Sequence, residues 1–569
     1  MFYDHTVRIP VIKGKVFHKK YNGFHYIHYQ YANSYNKEKK YPEPKRTTIG
    51  KVCEYDETLM YPNDNYYKFF PAEEFPEVEE CERSGCLKIG TYLVIEKILK
   101  ESGLKKIIYD IIDDKPGLFL DLCAYSIICE NNAGQYYPDY AYNHPLFTET
   151  MKIYSDSTVS DFIHSLTCDQ KISFFNVWNS IQPAKDKVYI SYDSTNKKCQ
   201  AGDIELVEPG HSKSGLTDTI FNCSVVYDVN NREPLLYEEY PGSITDVTQL
   251  QCMLQKMKSF GYEHAGFVLD RGYFSKENIH YMDNNGYDFI MMVKGMKSTV
   301  SGFVKSVEGT FEKDYSNRIY TYGVSGTTIE STFLPQDKKN RYIHVYYNDF
   351  KAAAERAEFE EKIDTMEKQL KKHIGEQVFY GMDVQKYFDL VYWHEGQEDQ
   401  VLQAVVPRTS VIDEAVRLCG YFTIITSQKM TAKEALFLYK SRDASEKLFR
   451  GDKSYLGDKA ARVHSTESTR AKIFIEFVAL IVRNRIYTAL CDEMEKTDHK
   501  RNYMTVPAAI RELEKIEMSR YGNDVYRLDH SITKTQKAIL KAFDIDSKDV
   551  KARINDLSMR LGYRTKQSI

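Results

Sequence analysis

Residues 187–295 run strand, long hairpin, helix, strand, helix, strand, an order that predicts an α/β fold with an RNase H-like core. Two further observations agree. An aspartate closes both the first and the fourth strand-like runs, and four polar residues, Tyr439, Arg442, Glu446 and Lys453, recur at helical spacing further on.

The elements follow from the local pattern. VYISYD alternates, with Val188 and Ile190 on one side and Asp193 at its end. A strand over Thr219 to Tyr227, a turn at Asp228 to Arg232 and a strand over Pro234 to Glu239 form the hairpin. A helix starts near Asp246, with Thr245 or Asp246 able to cap it. AGFVLD is a compact buried strand ending at Asp270; Ser275 caps a helix to about Asn284, and YDFIMMVKG is the fifth strand. Residues 296–415 break the order with strand-like pieces (RIYTYGV, RYIHVYYN, YFDLVYWHE) and one charged helix over Lys351 to His373, and are expected to be a mainly β insertion. GYFTIITS resumes the core, and Thr431 opens a helix with Glu434 at the capping-box position.

The remaining divisions are regional. Residues 1–90 are rich in strands and tyrosine (YNGFHYIHYQYANSY), with a basic, turn-prone stretch from Lys37 to Arg46; this mixture suits either DNA contact or an ordinary small β-unit. Residues 91–186 are helical, as in TYLVIEKILKESGL, and serve as a DNA-binding domain or as scaffold. The core resumes over 416–485, and 486–569 is a helical C-terminal region with a basic tail.

Composition sets limits. At 569 residues the chain holds several domains, and no run of about 18 apolar residues suggests a membrane span. The longest apolar stretch, Ile473 to Ile481, is interrupted by Glu476 and reads as a buried helix. Eleven scattered cysteines and a first stretch without an apolar signal segment point to the reducing cytoplasm. Neither Cys81 with Cys86 nor Cys123 with Cys129 has the close spacing of a zinc knuckle. A net charge of -4 does not announce a polyanion partner, yet from Lys429 to Lys472 eleven Lys/Arg face six acids.

That basic stretch holds the polar pattern. On a helical wheel Tyr439 defines 0°, Arg442 falls near 300°, Glu446 near 340° and Lys453 near 320°, one face of about 60° of arc. The plain alternative is a solvated face with i,i+4 pairing. In an open sheet with the first and fourth strands adjacent, Asp193 and Asp270 reach the same crevice, and a helix packed on that sheet can bring Glu446 to it. Three converging carboxylates repel unless cations neutralise them, and all-oxygen ligation suits Mg²⁺ or Mn²⁺, two ions in the site. For either aspartate alone, a cap or turn role is the ordinary reading.

These residues resemble the DDE transposases of bacterial insertion sequences, closest to insertion-sequence family 4 and its 1634-like branch, whose signature is Tyr-x2-Arg-x3-Glu-x6-Lys. ISYDSTN, LDRGYFS, GHSKSGLTD and YPGSITD are similar to segments of that branch, over roughly residues 187–295 and 415–485. The resemblance implies that Asp193, Asp270 and Glu446 are metal ligands and that Arg442 and Lys453 hold phosphates of the transposon end. It places Tyr439 beside the cleaved strand. Trp393 in the insertion would stack on a flipped base, and His211 and Lys213 would touch DNA. It implies Mg²⁺-dependent cutting of terminal inverted repeats in double-stranded DNA, joining of 3′-hydroxyls to target DNA, a homodimer in the synaptic complex and no membrane partner. Two alternatives stay open: a structure-selective nuclease of the same fold, and a domesticated DNA-binding protein with a vestigial site.

Overall fold

The computed structural model describes the chain except residues 1, 4–5, 22, 37–39, 54–55, 71–82, 184–187, 200–203, 212–216, 245, 263–264, 294–296, 334–338, 394–399, 443–464, 498–503, 521–524 and 563–569. It divides into two units, one of Met1–Glu101, Gly134–Val159 and Ala489–Ile569, the other of Ser102–Ala133 and Ser160–Thr488.

The first unit contains a five-stranded antiparallel sheet, in the order Val7–Arg8, Leu59–Pro62, Tyr41–Val52, Phe24–Asn36, Val16–Tyr21. Ile27, Ile49, Val52, Met60 and Tyr66 form its core on one face. The C-terminal region is not wholly helical as expected. Glu517–Ser519 pairs with both Arg527–Leu528 and Cys86–Lys88, a partner some 430 residues earlier whose contribution no local pattern announces.

The second unit is mixed α/β. Its ten-stranded sheet consists, in chain order, of β1 (Tyr189–Lys198), β2 (Glu208–His211), β3 (Thr217–Asp228), β4 (Glu233–Pro241), β5 (Gly266–Leu269), β6 (Asp288–Met292), β7 (Arg318–Ile319), β8 (Val324–Ser331), β9 (Arg341–Tyr347) and β10 (Tyr421–Thr426). The spatial order is β4-β3-β1-β5-β6-β10-β9-β8-β7, with β2 against β3. β1, β5 and β6 are mutually parallel and the β3/β4 hairpin is antiparallel, the RNase H-like arrangement the sequence predicts. All four residues of β5 are buried, as parallel strands covered on both faces require. The crossover helices are Asp246–Ser259 and Lys276–Asn284, the latter capped by the Ser275 side chain on the Asn278 amide.

Three expectations need correction. β1 does not stop at Asp193 but continues to Lys198, because β3 is twelve residues long and pairs with it throughout. RIYTYGV is not one strand: Tyr320–Tyr322 is a 3₁₀ turn, and Gly323, at φ 63°, takes the left-handed backbone that glycine tolerates best. The segment 296–415 is not a mainly β module. Its longest element is the 24-residue helix Asp349–Lys372, and β8 and β9 join the core sheet, extending it beyond β10. Only the hairpin Phe388–Trp393/Val401–Pro407 stands apart as a separate two-stranded sheet.

The apolar run predicted to be a buried helix lies in helix Thr466–Lys496, where every side chain from Ala471 to Asn484 is buried. A run that is largely apolar on every side belongs inside a core, and the carboxylate within it must be paired. Glu476 accepts from Asn132 at 2.7 Å and meets the Lys197 ammonium at 3.4 Å, with both charged side chains nearly fully buried. Replacing Lys197→Met strands the Glu476 charge and is expected to lower stability by about 3 kcal/mol, read from a denaturant titration, with Lys197→Met/Glu476→Leu recovering most of the loss.

His344 on β9 is fully buried between the hydroxyls of Thr328 and Thr426, at 2.9 and 3.0 Å. Burial pushes its imidazole down to about 4, against about 6.5 in an unfolded chain. The unfolded state therefore takes up the proton first. The stabilisation is complete above pH ~6.5 and drains away as pH falls towards 4, by about 3 kcal/mol. Melting curves across this window should show the His344→Gln variant losing less stability on acidification than the wild type.

Candidate active site

The site is built by strand register. Tyr192 on β1 pairs with Leu269 on β5 in parallel, so the next residues, Asp193 and Asp270, stand side by side. Neighbouring residues at one level of a sheet point to the same face. Two positions earlier on that face, Val268 packs with Leu436 and Tyr439 of helix Ala432–Ser441. Both carboxylates therefore lie on the face that this helix covers.

Neither aspartate has its ordinary structural employment. Asp is depleted in strands, yet Asp193 sits within β1, paired with Val225 and partly exposed, its Oδ1 accepting from the Ser194 amide at 2.9 Å. Asp270 precedes the 3₁₀ turn Arg271–Tyr273 in a cap position, but its side chain makes no capping bond. It turns instead towards the helix: the Tyr439 hydroxyl donates to its Oδ1 at 3.4 Å, and Arg442 Nη2 lies 3.7 Å from the same oxygen. The Arg442 guanidinium sits 5.5 Å from the centre of the Tyr439 ring.

The helix is held at its start. Thr431 caps it in a reciprocal box with Glu434, as the sequence predicts. A second tie has no sequence signature of its own: the buried Tyr346 hydroxyl donates to the Ala432 carbonyl at 2.7 Å. Tyr346 finds room because residue 326 on the next strand is glycine, where a Cβ would meet the tyrosine ring at 2.7 Å. A lone glycine inside a strand signals such close approach. Its partner could not be read from sequence.

The other expected residues fall as follows. Glu446, Lys453 and Lys213 lie outside the described residues, and so does the side chain of His211, whose backbone ends β2. The described helix ends at Ser441 with Arg442 as its C-cap, so the wheel places only Tyr439 and Arg442 together. Tyr439, expected beside DNA, is 4% exposed, and its ring is part of the core. Trp393 ends its hairpin strand and is 62% exposed, away from any core position.

Among the described residues no three His, Cys, Asp or Glu side chains gather closely enough to hold a metal ion. The pair Asp193 and Asp270 nevertheless fits a hard divalent cation: both are partly open to solvent, lie on one face of the sheet and supply oxygen donors of the kind Mg²⁺ and Mn²⁺ take.

Residues 187–482 match the family of the transposase DDE domain. The match takes in more than half of the chain, and the chain belongs to that family. No curated protein matches the sequence. Among solved structures, the piggyBac transposase synaptic complex with hairpin DNA aligns at 8% identity with a TM-score of 0.33, over 73% of this chain and 66% of that one, just under two thirds of its length.

Because the helix start is fixed by its cap, Thr431→Ala is expected to weaken the helix by about 1 kcal/mol. Hydrogen exchange of a peptide spanning residues 432–441 should speed up about fivefold, with exchange in β5 unchanged.

Proposed function

We infer that this chain is the transposase of a bacterial insertion sequence, of the family 4, 1634-like type, acting in the cytoplasm on double-stranded DNA. The single observation that carries this reading is the placement of Asp193 and Asp270 side by side under a helix whose last residues turn Tyr439 and Arg442 towards Asp270. The family match supports it.

In this reading Asp193, Asp270 and Glu446 hold two Mg²⁺ or Mn²⁺ ions. Glu446 follows Arg442 by four residues in the sequence. When bound, such ions activate a water or a 3′-hydroxyl and neutralise the leaving oxygen in an in-line phosphodiester displacement. The Tyr439 hydroxyl orients the Asp270 carboxylate. Arg442 offsets the charge of Asp270 and holds a phosphate of the transposon end; Lys453, Lys213 and His211 add contacts along the backbone. No side-chain nucleophile is needed. Residues 1–90 and 91–186 approach the terminal inverted repeats, 187–295 and 416–485 form the cutting core together with β8 and β9, the hairpin Phe388–Trp393/Val401–Pro407 within 296–415 places Trp393 near a displaced base, and 486–569 is a further C-terminal region. Cutting two ends together calls for a homodimer.

The test is strand transfer with labelled terminal DNA and Mg²⁺, comparing wild type with Asp193→Asn, Asp270→Asn and Glu446→Gln. Each variant is expected to lose more than about 100-fold in joining, beyond what removing a mere supporting group costs. A variant that joins DNA as well as wild type overturns the assignment of that residue. Wild type that cleaves without joining points to the structure-selective nuclease instead, and wild type that binds without cleaving points to the domesticated DNA-binding protein.

A further inference from the structure

The five-stranded sheet of the first unit has a second face opposite its core, partly exposed and met by the Phe2 ring at Tyr26. Cross-strand pairing assigns the faces. Val16 with Tyr29, and His18 with Ile27, lie on the core side. The rows Phe17–His28, Lys19–Tyr26–Lys51 and Tyr21–Phe24, together with the pair Gln30–Arg46, lie on the other. That outer face alternates aromatic rings with cations and has no carboxylate at these positions. The Arg46 guanidinium lies 4.3 Å from the centre of the Phe17 ring and the Lys51 ammonium 4.0 Å from that of Phe24. Burial first, and then the charges of Lys19 and Arg46, hold the His28 imidazole below its usual range.

The same two central strands run on past the sheet. Beyond Tyr29, the last residue paired to Val16–Tyr21, the segment Ala32–Asn36 pairs only with Tyr41–Lys45, a two-stranded ribbon about 17 Å long. Most of it is exposed, including Tyr35 at 65%, Tyr41, Lys40 and Lys45. A two-stranded ribbon with water on both faces is marginal alone. Its one carboxylate, Glu43, accepts from Asn36. Pro42 and Pro44 carry no N–H, so the free edge of their strand cannot template another strand. That proline edge is closed to a protein strand, and the cations and rings on the faces suit a polyanion with flat bases.

From this the geometry points to the sheet face and ribbon of residues 16–36 and 41–51 as a surface for duplex DNA, with the ribbon in the major groove and Lys19, Lys45 and Arg46 on flanking phosphates. A major groove about 12 Å wide admits a two-stranded β-ribbon. The inference rests on the transposase reading for its source of DNA, the ends of the element. Strand transfer does not enter into it.

The test uses the full chain in EDTA, so that no cleavage intervenes. Fluorescence anisotropy follows binding to a 30-base-pair duplex taken from the DNA flanking the gene, at several salt concentrations. Lys19→Ala/Lys45→Ala/Arg46→Ala is expected to weaken binding at least tenfold and to flatten the slope of log Kd against log salt by up to about 2.7, near 0.9 for each phosphate that is no longer neutralised. Tyr35→Ser/Tyr41→Ser, at exposed positions outside the core, should weaken binding with the slope unchanged. Wild type that binds while both variants bind equally well overturns this surface alone. Wild type that binds no duplex overturns it together with the transposase reading. Tighter binding to the single strand than to the duplex overturns the groove placement.

Discussion

The register between β1 and β5 is the constraint on which the candidate site depends. A slip of one residue would send Asp193 to the opposite face of the sheet and leave Asp270 without its neighbour. The register is enforced a few residues earlier, where Tyr189 pairs with Gly266 and its ring lies across the glycine. A Cβ at position 266 would sit 2.6 Å from that ring, so a side chain at this level would have to displace the tyrosine. Burial of Ile190, Phe267 and Val268 then makes the alternative alignment costly.

The helix that covers the pair brings its own logic. Tyr439 buries its ring in the core formed by Val268, Ile290, Ile424 and Leu436, leaving the hydroxyl at the edge of that core, where Asp270 is. Arg442 follows at the end of the helix. The Tyr and Arg of the recurring pattern thus act in sequence: one anchors the helix to the sheet, the other brings a positive charge to the carboxylates.

What could be read from the chain alone was what short-range rules decide. Ser275, and Thr431 with Glu434, were legible as caps because a cap is settled within four residues. Asp270 was legible because the buried run AGFVL ends at it. Features decided by distant partners were not. The continuation of β1 past Asp193 depends on β3, some thirty residues on. The recruitment of β9 into the core sheet depends on pairs such as Ile343 with Ile425. RIYTYGV alternates like a strand, but the backbone at Gly323 turns it aside. The outer face of the N-terminal sheet was visible only as a composition of tyrosine and lysine, because β-bulges, one in Tyr41–Val52 and one in Phe24–Asn36, shift which residues face outwards.

Helix Ala432–Ser441 is tied at one end by the Thr431 box and the Tyr346 hydroxyl, and carries Arg442 at the other. Ten residues make a rod about 15 Å long, held at Ala432 by the Tyr346 hydroxyl and near its other end by the buried Tyr439 ring. A tilt of only about 5° would sweep the guanidinium through roughly 1.3 Å, the difference between touching a carboxylate oxygen and releasing it. Fastening the rod at both ends thus keeps the Arg442 guanidinium beside Asp270.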